Sequence, residues 1–236
     1  MTGRYELKYL CRTQELAMIE SRLAHLAHRD SHAGESGTYS ISSLYFDDMN
    51  DTCCNDNEAG NPRRYKFRAR YYGNDISSLH LEKKVRRYDV GYKYSCPMTP
   101  GQLEKFFTGD TQDLLYDTPP LLRELAILHQ TRRMEPRVIV CYERTPFVWE
   151  AGNVRITLDR SICAGAELTE FLSGDYQRFP VQNAGESLLE VKFDTVLSGE
   201  LRQAAYLDRL QQISFSKYYL CRQFFERKGV TPWTTF

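Results

Sequence analysis

The sequence predicts an α+β fold: an antiparallel, eight-stranded β barrel or tunnel with a charged interior and helices packed outside. Three observations lead there. Segments of strand length recur along the 236 residues, and most alternate charged with apolar side chains, so each strand has one charged and one apolar face. Amphipathic helical segments are available to cover apolar faces. Five or more charged faces of one kind can then close on one another.

Residues 4–11 (RYELKYLC) read as the first strand. A helix follows over 13–28, where Leu16, Ile19, Leu23 and Leu26 recur at three- and four-residue spacing, and the polar stretch 30–37 breaks it. Residues 39–46 (YSISSLYF) form a second strand, and a loop dense in Asp and Asn runs over 47–62. Strands over 63–72 and 78–87 are separated by Gly73, Asn74 and Asp75, which makes them antiparallel neighbours, and a short strand follows at 90–96. Thr99, Pro100 and Gln102 place a hydroxyl cap, a first-turn proline and a third-position glutamine together, so a helix begins there; another covers 120–133. After Pro136 come strands at 137–145, 154–160 and 188–194, then helices at 199–211 and 216–227. With no repeat, low-complexity tract or linker, residues 1–236 read as a single domain.

Lysine plus arginine equals aspartate plus glutamate, 31 against 31, so no global field gathers nucleic acid or anionic lipid, and any anion site is local. No run approaches the roughly 18–20 apolar residues of a membrane span, and the N-terminus has no signal-like apolar stretch, so the expected location is cytoplasmic. Seven cysteines without paired C-x-x-C spacing argue against a disulfide framework and a zinc site. They read as reduced, mostly buried thiols, with Cys53 and Cys54 in a polar loop as the most exposed pair. His25, His28 and His32 read as histidines on a solvated helix. The glycine-rich phosphate-loop, dinucleotide and nucleophile-elbow motifs are all missing.

The chemistry lies in the alternation. Arg64, Lys66, Arg68 and Arg70 share one strand face, with Tyr65, Phe67, Ala69 and Tyr71 on the other. Likewise Glu6 joins Lys8; His80, Glu82, Lys84 and Arg86 share a face; Tyr142 joins Arg144; Arg155, Thr157 and Asp159 share one; and Glu190 joins Lys192. Arginine suits two-pronged contact with phosphate oxygens. If the charged faces turn inward, ten cations (Lys8, Arg64, Lys66, Arg68, Arg70, Lys84, Arg144, Arg155, Lys192 and, from a helix, Lys217) meet only four acids, Glu6, Glu82, Asp159 and Glu190. An unpaired buried charge costs several kcal/mol. Such a cavity is wet and built for a multiply charged anion: triphosphate, nucleotide or a longer phosphate chain. Mg²⁺ or Mn²⁺ is held by one or two carboxylates plus substrate phosphates, so Glu190, and secondarily Glu6 or Glu82, are candidate ligands, with ion pairing as their other use. Ser216 and Lys217, where the last helix begins, make a phosphate seat.

The ordered set Y-E-L-K-Y, Y-S-I-S-S-L-Y-F-D, R-Y-K-F-R-A-R-Y-Y-G, L-E-K-K, Y-E-R-T-P-F, R-I-T-L-D, L-L-E-V-K-F and F-S-K-Y, spanning residues 4 to 222, resembles the VTC domain. That domain is the catalytic part of the vacuolar transporter chaperone polyphosphate polymerases and their bacterial relatives, within the triphosphate tunnel metalloenzymes. The resemblance implies a tunnel of eight antiparallel strands that binds ATP and a divalent metal, Mn²⁺ or Mg²⁺, and transfers the terminal phosphate to a growing polyphosphate chain. It makes Lys8, Arg68, Arg70, Lys84, Arg144, Arg155 and Lys217 the phosphate-contacting cations, with Ser216 beside the last, and Glu190 the metal ligand. Arg64, Lys66, Lys192 and Tyr142 follow from alternation as substrate-binding residues. Hydrolytic and cyclase relatives typically begin E-x-E-x-K, whereas Arg4 precedes Glu6 and Lys8 here, which favours the polymerase branch. The chain also shows neither the inositol-phosphate-sensing domain nor the membrane helices of the eukaryotic complexes, so a membrane-protein partner would be what holds it at the inner face of a membrane. Triphosphatase or nucleotide phosphohydrolase activity, and a non-catalytic polyphosphate- or nucleotide-binding module, remain as alternatives.

Overall fold

The computed structural model describes residues 4–30, 33–34, 36–88 and 90–232, and in them ten strands and six α-helices form. The chain divides into two compact units. One comprises Met1–Ser40, Tyr142–Ile162 and Gln182–Phe215; the other comprises Ile41–Cys141, Cys163–Val181 and Ser216–Phe236. Strands β7 (Glu135–Trp149) and β8 (Val154–Gly165) each contribute residues to both.

In the first unit the strand order is β1 (Tyr5–Arg12), β10 (Glu186–Phe193), β8, β7 and the short β2 (His28–Arg29). Tyr9, Cys11, Val154, Ile156, Leu158, Leu189 and Val191 occupy one face and form a single core with helix α1 (Thr13–Ala24) and helix α5 (Gly199–Ala204). Leu16, Ile19 and Leu23 of α1 are essentially inaccessible, as their spacing requires. Helices therefore cover the apolar face. The alternate residues, including Lys8, Thr157 and Glu190, point the other way.

In the second unit the order is β7, β3 (Tyr39–Asp47), β4 (Arg63–Tyr72), β5 (Asp75–Arg87) and β6 (Val90–Pro97), with β9 (Arg178–Pro180) on β8. Helices α3 (Pro100–Thr108) and α4 (Pro120–Arg132) pack against the apolar face: Phe106 meets Phe46 edge-on at 5.5 Å, and Glu124 pairs with Lys83. The Thr99–Gln102 capping box starts α3 as expected. Helix α6 (Lys217–Lys228) is different. Its Tyr218 ring stacks on Tyr45, 4.9 Å away, and Tyr45 stands opposite Arg68 on the charged face, so the start of α6 lies over that face.

Several expectations are corrected. Ten strands replace eight, because the edge pieces β2 and β9 are too short to show in the sequence. Among the described residues the strand path begins at β1 and ends at β6 with no pairing between those two, and the outer edge of β1 is taken by residues 212–213, through a Tyr9–Gln212 bridge and an Ile213 N–H bond to the Lys8 carbonyl at 2.8 Å. Helix α1 ends at Ala24 rather than at residue 28, because His28 and Arg29 pair with β7 and the Arg29 guanidinium sits 4.3 Å over the Phe147 ring. Helix α5 stops at Ala204, and Tyr206 two residues on is left-handed at φ 58°. The presumed loop 47–62 contains helix α2 (Thr52–Glu58). Asp47 nucleates it by accepting the N–H groups of Cys53 and Cys54 at 2.8 and 3.0 Å. Cys53 and Cys54 are consequently buried, not exposed. All seven cysteines are free thiols. His32 lies outside the described residues.

Candidate functional site

Two sets of charged side chains emerge, one in each unit. In the first unit Lys8, Glu190 and Thr157 stand level across β1, β10 and β8, and Glu6, Lys192 and Arg155 form the neighbouring row. Residues level in an antiparallel sheet share a face, so these six converge. The Lys8 ammonium lies 3.1 Å from Glu6 Oε1 and 3.7 Å from Glu190 Oε1, and donates to the Phe215 carbonyl at 2.7 Å. Glu190 Oε2 accepts from Lys192 at 2.9 Å and Arg144 at 3.3 Å. Arg144 in turn binds Asp159 twice, and its guanidinium passes 5.2 Å from the Tyr142 ring.

Burial alone would weaken the Arg144 charge, but Asp159, Tyr142 and Glu190 hold its pKa well above the ordinary value. Arg155 pairs with Asp30 at 2.7 Å and donates to the Tyr39 hydroxyl at 3.0 Å. Counting these partners, Lys8, Lys192, Arg144 and Arg155 face Glu6, Glu190, Asp159 and Asp30: four against four. This set is balanced. Two polar atoms of this set are buried with no hydrogen-bond partner among the described residues, Arg155 Nε and Thr157 Oγ1.

The second unit carries the positive excess. Along the charged face of β4–β6 the rows are Arg70 with His80, Arg68 with Glu82 and Ser95, Lys66 with Lys84 and Lys93, and Arg64 with Arg86. Glu82 receives three cations: Arg68 Nε and Nη2 at 2.7 and 2.6 Å, Arg70 Nη1 at 3.8 Å and Lys93 Nζ at 2.5 Å. Burial by itself raises its pKa, yet Arg68, Arg70 and Lys93 outweigh burial and hold it far below the usual carboxylate range. Arg68 also donates to the Tyr45 hydroxyl at 2.8 Å, and Arg70 to Ser43 Oγ at 2.9 Å. Lys66 donates to Asn57 Oδ1 at 2.6 Å and to Ser216 Oγ at 2.9 Å, with its ammonium 5.1 Å over the Tyr218 ring. Ser216 caps α6, and Lys217 follows it, half-buried.

Asp47 anchors this arrangement. It is fully buried, accepts from the Tyr218 hydroxyl at 2.5 Å, and has Arg222 Nη1 at 3.7 Å. It thereby ties the start of α6 to the end of β3 and fixes Ser216 and the ring beneath Lys66.

The candidates thus separate by unit. Lys8, Glu6, Tyr142, Arg144, Arg155, Glu190 and Lys192 gather in the first; Arg64, Lys66, Arg68, Arg70, Glu82, Lys84, Ser216 and Lys217 belong to the second. The sequence reading missed Asp30, Asn57 and Lys93. Lys93 was within reach: β6 alternates like its neighbours, and pairing it antiparallel with β5 puts residue 93 level with Lys84.

Among the described residues no three His, Cys, Asp or Glu side chains form a metal-binding group. Two carboxylates nevertheless meet at one cation, Glu6 and Glu190 on Lys8, beside the unsatisfied Thr157 hydroxyl. Hard oxygen donors of this kind suit Mg²⁺ or Mn²⁺ when substrate supplies the remaining ligands. Glu82, the third metal candidate, has both oxygens engaged by Arg and Lys.

In each unit, then, strands set charged side chains on one face and apolar side chains, covered by helices, on the other. The VTC domain family model matches residues 3–225, and the chain belongs to that family. Among solved structures it is similar to the PH1819 protein from Pyrococcus horikoshii OT3, with TM-score 0.48 and 11% identity over 94% of this chain and 98% of that one. It is similar as well to a putative adenylate cyclase from Bacillus halodurans, with TM-score 0.46 and 12% identity over 91% and 95% of the two chains. For the Mimivirus capping enzyme triphosphatase the TM-score is 0.38, with 9% identity over 89% and 88%. No curated protein matches. No helix among the described residues is long and apolar enough to cross a membrane.

Proposed function

We propose that the chain is a metal-dependent polyphosphate polymerase, a phosphotransferase in which residues 1–236 act as a single domain and pass the terminal phosphate of ATP to a growing polyphosphate chain. The observation that carries this reading is the grip of Arg68, Arg70 and Lys93 on one buried carboxylate, Glu82, with Lys66, Lys84, Arg64 and Arg86 continuing along the same face. A face so rich in guanidinium and ammonium groups suits polyanionic phosphate.

Phosphoryl transfer needs in-line positioning and charge neutralisation more than covalent chemistry. Fixed guanidinium and ammonium groups supply both without reorganising. In this reading Arg68, Arg70, Lys84 and Lys217, with Lys8, Arg144 and Arg155, contact phosphate oxygens, and Arg64, Lys66, Lys192, Ser216 and Tyr142 support the bound chain. A divalent ion, Mn²⁺ or Mg²⁺, would be held by Glu190 with Glu6 and would neutralise charge on the phosphates. Glu82 then acts as the counter-charge that keeps Arg68 and Arg70 aimed. No side-chain nucleophile is required, since an oxygen of the acceptor phosphate attacks.

Arg4 supports the polymerase branch. It pairs with Asp194 at 2.9 Å and donates to the Asn153 carbonyl, so the first carboxylate of the hydrolytic pattern is replaced by a cation engaged elsewhere. We place the enzyme in the cytoplasm, at the inner face of a membrane through a membrane-protein partner. The test is direct. The purified chain with ATP and Mn²⁺ should yield long polyphosphate on a gel together with ADP; free phosphate without polymer would establish hydrolysis instead, and neither product would leave a binding module.

A further inference from the structure

Three thiols of the second unit meet at one backbone carbonyl. Cys141 of β7 and Cys221 of α6 each direct Sγ at the Cys163 carbonyl of β8, both at 3.7 Å. The Cys141 and Cys163 side chains are also in hydrogen-bonding contact with each other. The strands explain why. A Cβ placed on Gly165 would stand 3.2 Å from Ile139 Cβ, so residues 139 and 165 lie directly opposite across β7 and β8. Two steps along each antiparallel strand then bring Cys141 opposite Cys163 on the same face. Directly opposite Cβ atoms lie about 4.5–5.5 Å apart, and closer in pairs without mutual hydrogen bonds, against about 3.5–4.5 Å in a disulfide. A small approach of the two strands closes the bond.

We infer that Cys141 and Cys163 form an oxidation site, a cross-strand dithiol that a peroxide converts into a reversible disulfide. This site stands apart from the polymerase reading. Exposure assigns the two roles: Cys163 is half-buried and Cys141 buried, so peroxide meets Cys163 first. Cys141 keeps its proton until then, because the hydrogen bond with Cys163 first, and burial second, raise its pKa, with Arg178 and the Tyr176 hydroxyl acting against them. The Cys163 sulfur attacks one peroxide oxygen, the O–O bond breaks, and the departing hydroxide takes the thiol proton as water, leaving a sulfenic acid. The Cys141 sulfur then attacks the sulfenic sulfur; the S–O bond breaks, and hydroxide leaves with the Cys141 proton as a second water. Two thiols have given two electrons to one peroxide. A resolving thiol so close intercepts the sulfenic acid before further oxidation. In a reducing compartment such a bond is transient and signals redox state.

The full chain would be treated with hydrogen peroxide, alkylated, digested and mapped by mass. A linked peptide joining Cys141 to Cys163 should form and should disappear with dithiothreitol. C141A should instead leave Cys163 as a sulfenic acid that dimedone traps, and C163A should leave Cys141 reduced. C221S should cross-link like the unaltered chain, although Cys221 faces the same carbonyl. The bond should also raise the urea midpoint of the unaltered chain, since it joins residues 22 positions apart, and neither alanine variant should show that rise. A link from Cys163 to Cys221, sulfinic acid at Cys163 in place of a link, or an unreacted Cys163 would overturn the site. Urea midpoints in dithiothreitol show whether the variants fold; where one does not, the peptide map of the unaltered chain decides.

Discussion

Arg144 grips Asp159 through two parallel hydrogen bonds, Nε to Oδ1 at 2.6 Å and Nη2 to Oδ2 at 2.7 Å, with Asp159 fully inaccessible. Two-pronged pairs of this kind fix geometry as well as charge. The guanidinium reaches Glu190 on its far side at 3.3 Å, so it links a structural carboxylate to a candidate metal ligand.

Breaking a buried pair leaves an uncompensated charge. Asp159→Ala should cost about 3–5 kcal/mol, read as a lower urea midpoint with an unchanged slope. An apolar pair, Arg144→Met with Asp159→Leu, should recover most of that stability while turnover stays lost. Recovery of activity along with stability would show that Arg144 does no more than pack.

Glu82 sets a pH dependence. Its carboxyl titrates far lower in the folded chain than in the unfolded one. Its stabilisation is therefore complete above the ordinary glutamate pKa of about 4.3 and is lost as pH falls from there through the depressed folded value. Glu82→Gln should lower stability at neutral pH and flatten the acid limb of a stability profile. An unchanged acid limb would mean that other carboxylates carry it.

The thiols of α2 should be inert. Burial is the main cause that raises both Cys53 and Cys54, the latter to about 11. Native chain should therefore react with iodoacetamide near pH 8 only at the pace of local opening, and promptly in denaturant. Fast native labelling at Cys54 would contradict the helix start built on Asp47.

What was legible in the sequence was what depends on near neighbours. The two-residue alternation of 63–72 put Arg64, Lys66, Arg68 and Arg70 on one face, and the register confirms it. Thr99 and Gln102 marked a helix start through contacts three residues apart. What stayed hidden depends on distant partners. Helix α2 is started by Asp47, which is itself held by Tyr218, 171 positions away. Asp30 looked like part of a polar break, yet it binds Arg155. The split of charges into a balanced set and a cationic one could not be read either, because counting cations against acids over the chain ignores which acid each can reach.

Thr157 offers the sharpest separation of stability from function. Its hydroxyl is buried and unsatisfied, level with Glu190 and, through it, with Lys8. A buried hydroxyl without a partner costs about 1–3 kcal/mol, a cost that valine, nearly the same shape, does not carry. Thr157→Val should thus stabilise the ligand-free chain by about 1 kcal/mol, a rise of roughly 2–4 °C in Tm for this size. If the hydroxyl serves the metal or a phosphate oxygen beside Glu190, the same variant should need more Mn²⁺ to reach half-maximal turnover, whereas Thr157→Ser should keep the original requirement. A more stable valine variant with an unaltered Mn²⁺ requirement would mean that the hydroxyl faces no ligand, and the case for Glu6 and Glu190 as the metal's carboxylates would then lose the polar group that stands beside them.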